Sequence, residues 1–136
     1  MPWNVKYDSE LGIILCIYAG KITADDFKKG TEKIISSAKK HKTNLLLIDD
    51  SKLEASVSTT EIYQMPQFYD EVKGNRKSRI ALILPPSGQI RKDVKFYETV
   101  CRNHGWDVKA FDKRRDATDW LIQKDTSNKP DASGGK

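Results

Sequence analysis

The last third of the chain constrains the fold most. From residue 81 it reads ALILPPSGQIRKD, then FYETVCRNHGWDVKAFD, then ATDWL. A short apolar run is broken by a proline pair, and the amphipathic stretch that follows ends at Gly105. A second apolar run ends at Asp112, and a final amphipathic stretch carries Ala117, Trp120 and Leu121. Strand-like and helix-like segments in strict alternation build an α/β domain on a largely parallel sheet. The same stretch holds no catalytic motif, so it speaks to the scaffold before it speaks to the task.

The rest of the chain follows the same rhythm. Trp3, Val5 and Tyr7 alternate with polar neighbours, residues 13–18 form the run IILCIY, and DSELG between them marks a hairpin turn. Thr23 is placed to cap a helix that Asp25 and Asp26 begin, with Phe27, Thr31, Ile34, Ile35 and Ala38 on one face. Lys39, Lys40 and Lys42 gather at its C-terminal end, where positive charge complements the helix dipole. The run LLLID at 45–49 reads as a central parallel strand, and the polar residues 50–61 as a loop into the next helix. Ser58 and Glu61 form an S-x-x-E capping box at that helix's start. Ile62, Met65, Tyr69 and Val72 share its face, and Pro66 among them predicts a kink or a division into two pieces. The expected fold class is therefore α/β, a single mixed, mostly parallel five-stranded sheet with four helices. Its order is β-β-α-β-α-β-α-β-α, with the first two strands antiparallel. The domain is expected over residues 1–124, with a disordered tail over 125–136, whose composition offers no large apolar anchor.

Bulk properties narrow the function classes. A chain of 136 residues with 38% hydrophobic and 32% charged side chains buries one core without staples. No apolar run approaches the roughly 20 residues that span a bilayer, and MPWNVKYDSE lacks the basic-then-apolar pattern of a signal peptide. A cytoplasmic protein is the expectation. The net charge of +5 raises the question of nucleic acid. Yet the bases are interleaved with acids, as in DDFKKGTEK and FDKRRDATD, which is the pattern of solvated helix faces. Sequence-specific nucleic-acid binding is not expected. Cys16 and Cys101 make no CxxC pair and read as reduced, buried thiols.

Taken in order, WNVKYD, LGIILCIYAGKITADDF, LLLID, ALILPPS, FYETVCRNHGW and ATDWL resemble the SpoIIAA-like family, over roughly residues 3–122. These are small bacterial proteins related to the STAS (anti-sigma-factor antagonist) fold, with a likeness to the CRAL-TRIO lipid-binding domain. The resemblance implies a STAS-like fold and a non-enzymatic regulatory or protein-interaction module with a protein partner. In the switch proteins of that fold, a strand ending in an acid leads to a serine at a helix N-terminus, which a partner kinase phosphorylates. The matching region here runs from Asp49 and Asp50 to Ser58, Thr59 and Thr60, the candidate phosphorylation and interaction residues. SVSTTE stands where the family carries Asp-Ser-Ser-Gly, and Glu61 stands where it has glycine. The alternative that the resemblance implies is a small apolar-ligand or lipid-binding protein.

Two further groups of residues bear on that alternative. The loop containing Ser87, Gly88, Arg91 and Lys92 follows a parallel strand, the usual ligand edge of an open α/β sheet. It is a candidate anion site or ligand mouth, although it lacks P-loop spacing. Tyr63, Met65, Phe68 and Tyr69 around Pro66 exceed what one helix face buries, and so could line an apolar pocket or a homodimer contact. Asp49 and Asp50 read as acids ending a strand, since no histidine or third acid is placed by sequence to complete a metal or catalytic site. His41 and His104 read as local hydrogen-bonding residues at helix ends. No cofactor, metal or catalytic residue is expected.

Overall fold

The computed structural model describes residues 2–55 and 58–122; the tail expected at 125–136 lies outside the described residues. The elements are β1 (Trp3–Asp8), β2 (Ile13–Lys21), α1 (Ala24–His41), β3 (Leu45–Ala55), α2 (Thr59–Glu71), β4 (Arg79–Ile83), α3 (Gly88–Asn103), β5 (Asp107–Phe111) and α4 (Arg114–Ile122). This is the order the sequence predicts. The five strands form one sheet in chain order, β1 antiparallel to β2 and every later pair parallel.

That order decides where the helices go. Each crossover from β2 to β5 steps to the next strand in the same direction, and crossovers of one hand then put their helices on one face. Ile34 of α1, Tyr69 of α2, and Val94 and Cys101 of α3 accordingly share a core with Ile14, Cys16, Leu46, Ile80 and Leu82. The last helix belongs to no crossover. It covers the other face, where Ala117 and Leu121 pack on Ile13, Leu47, Ala81 and Ile83. Central strands covered on both faces must be apolar on both, which is why IILCIY and LLLI run without alternation.

Local chemistry sets the boundaries. Gly12, at φ +70, closes the β1–β2 hairpin and donates its N–H to Asp8 at 2.8 Å. Thr23 and Asp26 cap α1 reciprocally, and Ser58 and Glu61 do the same for α2. Two expectations are revised. The segment after Asp49 is not a loop, because β3 continues to Ala55. β2 runs to Lys21 and offers it a free edge, with Ala19 opposite Lys52 and Gly20 opposite Leu53, whose side chain is buried. Pro66 does not divide α2, which runs as one helix with the proline buried inside it.

Leu82 of β4 has its side chain fully enclosed, between Ile48 and Ala110 on the neighbouring strands. Leu82→Ala is expected to lower the unfolding free energy by about 3 kcal/mol. Urea denaturation checks this, with the midpoint falling and the slope unchanged.

Candidate functional site

The tandem acids Asp49 and Asp50 lie where β3 outruns β4, since the last β3–β4 pair is Asp49 with Ile83. Between the pairs Ile17–Asp49 and Ala19–Lys52, β2 spends one residue and β3 spends two. The surplus is a β-bulge at Asp50 and Ser51, a device that re-aims side chains. Asp49 holds it in place. One carboxylate oxygen accepts the Ser51 N–H at 2.9 Å, and the other accepts from the Arg114 guanidinium of α4 at 2.8 Å. Burial alone would raise the Asp49 pKa, but these hydrogen bonds outweigh it and hold the carboxyl below its ordinary value.

Asp50 faces the other way, toward α1–α3, and has none of that support. It is 6% exposed, and among the described residues no hydrogen bond or ion pair reaches its carboxyl group. Burial, reinforced by the charge of Asp49, pushes its pKa up to about 8, so it carries its proton at neutral pH.

The space beside Asp50 is a pocket of about 240 Å³. Its floor is Leu46, Ile48 and Ile80, and its walls include Ile34 of α1, Ile62 of α2 and Val94 of α3. Aromatic rings meet inside it. Phe27 lies 6.1 Å from Tyr69 and 5.9 Å from Tyr97, and Tyr69 stands edge-on to Trp106 at 5.4 Å. The absence of a Cβ at Gly30 lets α1 sit directly over the Tyr18 hydroxyl, which an added methyl would strike. Tyr18 donates to the Phe27 carbonyl at 3.4 Å. Among the described residues, the buried Trp106 indole N–H has no partner. Cys16 and Cys101 are free and buried, and burial pushes both thiols up to about 12, far from nucleophilic thiolate.

The residues singled out by sequence fall in three places. Met65 and Tyr69 line the pocket. Tyr63 is 59% exposed and stands edge-on to Phe96 at 5.3 Å, while Phe68 lies under the Lys28 ammonium, outside the pocket lining. Ser58, Thr59 and Thr60 are exposed at the start of α2, with the Ser58 hydroxyl 3.0 Å from the Glu61 carboxylate. Ser87 begins α3 without a side-chain cap bond, and Gly88 follows at φ +83. Arg91 donates to the Pro85 carbonyl and to Asp112, and Lys92 is exposed. None of Ser87, Gly88, Arg91 and Lys92 lines the pocket, whereas Asp93 and Val94, next along α3, do. Among the described residues, no three His, Cys, Asp or Glu side chains are grouped to hold a metal, and no helix is long and apolar enough to cross a membrane.

A pocket enclosed between three crossover helices and a parallel sheet defines an α/β fold with a ligand-sized interior. The sequence matches no protein-family model and none of the curated proteins. Among solved structures, an uncharacterized protein of the DUF3478 family from Shewanella loihica PV-4, described as having a SpoIIAA-like fold, is similar. It superposes with a TM-score of 0.58 at 20% identity, over 88% of this chain and 91% of that one. The anti-sigma factor antagonist SpoIIAA in its unphosphorylated form also matches, at a TM-score of 0.49 and 14% identity over 84% of this chain and 91% of that one. The chain therefore carries a SpoIIAA-like, STAS-like fold.

The role of Asp50 is the residue-level feature that sequence reasoning missed. Strand parity held the signal. Leu46, Ile48 and Asp50 fall on one face and Leu45, Leu47 and Asp49 on the other, so the two acids part company. Because the Asp50 pKa is raised on folding, its protonated form is favoured in the native state. The resulting loss of stability grows from about the unfolded value near pH 4 to the folded value near pH 8, and is constant above that. Asp50→Asn is expected to stabilise the protein by up to about 5 kcal/mol at pH 8 and to leave stability nearly unchanged at pH 4. Thermal unfolding at the two pH values checks the difference.

Proposed function

We propose that this protein is a non-enzymatic binding module whose pocket takes a small, largely apolar ligand. One observation carries the reading. Among the described residues, the Trp106 indole N–H is buried without a partner and the Asp50 carboxyl has no hydrogen bond, in a pocket whose lining is mostly apolar and aromatic. A polar group buried without a partner costs about 1–3 kcal/mol, so a pocket that keeps two of them gains by accepting a ligand that satisfies them. The space also exceeds the roughly 150 Å³ that suffices for a benzene-sized guest. Entry at the carboxyl ends of the strands, past Ser87, Gly88, Arg91 and Lys92, belongs to this proposal, because Asp93 continues from that loop into the pocket wall.

Octanol tests the reading as a neutral probe. It is expected to raise the melting temperature by about 4 °C at concentrations well above its dissociation constant. Ala38→Phe, which fills the pocket from α1, should abolish the shift. A wild-type protein that shows no shift would count against ligand binding.

A second reading, a phospho-switched protein-interaction surface, is favoured by the exposure of Ser58, Thr59, Thr60 and Tyr63 along one end of α2. Replacing Ser58, Thr59 and Thr60 together by alanine should reduce recovery of the partner from native extract. It should also cost about 1 kcal/mol through the lost cap. Unchanged recovery would remove this reading.

A further inference from the structure

We propose that the pocket selects an organic amine, a protonated nitrogen on a compact apolar body, and that the Asp50 carboxylate is the seat of the ammonium. The inference rests on the ligand-binding reading above and names the chemical class of the ligand.

Three observations carry it. First, Asp50 lies in the pocket wall, enclosed, and among the described residues nothing donates to it. A buried acid without a partner is the feature that a cationic donor completes. Second, the same interior is lined by Tyr18, Phe27, Tyr69 and Tyr97, with successive ring centroids about 6 Å apart. Aromatic faces attract a cation most strongly where water is excluded. Third, charge is divided along the pocket. Asp93 joins Asp50 toward the carboxyl ends of the strands, while Lys39, Lys42 and Lys73 line the end where β3 and β4 begin. From Leu45 to Asp50 the strand rises roughly 17 Å at about 3.3 Å per residue, so these lysines stand far from the acid. An ammonium is repelled from their end and drawn to Asp50.

The groups that face Asp50 supply no competing cation. They are Cys16 and Tyr18 from β2, Tyr69 from α2 and Asp49 on its own strand, while Thr31 of α1 and Asp93 and Tyr97 of α3 line the same pocket. Burial keeps the free carboxyl protonated at neutral pH. Seating an ammonium therefore releases the Asp50 proton to solvent and leaves an ion pair, with no covalent change. Amine affinity should rise with pH through about 8, where Asp50 is half ionised in the free protein, and level off above it. A neutral alcohol gains nothing from that ionisation.

Calorimetric titration of the full chain with octylamine, octanol and octanoate at pH 6, 7 and 8 tests this. In buffers of different ionisation enthalpy it also counts the protons released. Octylamine is expected to bind at least about tenfold more tightly than octanol at pH 8, with proton release at pH 7. Asp50→Asn should lose the preference for the amine, so that octylamine and octanol bind it with similar affinity. Octanol or octanoate binding as tightly as octylamine would overturn the inference, as would an amine preference that survives Asp50→Asn, and either result leaves the apolar-ligand reading standing. Failure of all three probes to bind the wild-type protein would overturn both.

Discussion

β3 pairs with β4 only from Leu45 to Asp49 but with β2 as far as Ala55, and the site follows from this difference in length. In the shared part, strand register and helix packing leave little freedom, since both faces are covered and Leu45 to Ile48 and Ile80 to Ile83 each pack into a core. Beyond Asp49 the strand keeps one neighbour, so a surplus residue is tolerated there at little cost. Asp49 absorbs the irregularity by accepting the Ser51 N–H and by pairing with Arg114 across the sheet. The tether to α4 on one face is thus what presents Asp50 to the pocket on the other.

An unpaired buried acid weakens a fold. The helices that enclose Asp50 gain stability from Ile34, Tyr69 and Val94 against the sheet, while the acid and the unpartnered indole oppose it. A leucine in place of Asp50 would suit the same surroundings better by every rule of core packing. Local choices that break those rules without local compensation gather at functional sites, where the gain appears only with a partner present. The contrast between the neighbouring acids sharpens the point. Asp49 has hydrogen bonds that hold it ionised, and Asp50, one residue on, has none among the described residues that hold it in either state.

The scaffold was largely legible because its signals are local. Caps at Thr23 and Ser58, the turn glycines and the continuous run at 45–49 each declare a boundary within a few residues. The extension of β3 was not legible, because SKLEA looks like a loop until the length of β2 supplies its partner. The unbroken course of α2 was hidden for a similar reason, since helix propensity counts Pro66 as a breaker while tertiary burial holds it in place. The site lay between these cases. Helical periodicity groups Met65 and Tyr69 with Tyr63, which is exposed, and with Phe68, which packs half-buried against the core outside the pocket lining. The two acids were read together because they are adjacent, when adjacency in a strand means opposite faces.

Helix α2 joins the two proposed readings physically. Its inner face, through Ile62, Met65 and Tyr69, roofs the pocket, and its first turn carries Ser58, Thr59 and Thr60. The Ser58 hydroxyl already accepts the Glu61 N–H at 3.2 Å and lies 3.0 Å from the Glu61 carboxylate. A phosphate on Ser58 would gain from the free N–H groups of the helix start, but it would meet Glu61 where the resembled family has glycine. Like charges at that distance oppose each other, and the capping box that starts the helix would be lost. Added charge at this position would therefore loosen the first turn of the pocket roof before it built a new docking surface. In this chain, then, a modification of α2 would be felt at Ile62 and Met65 on the pocket side, as well as by a partner outside.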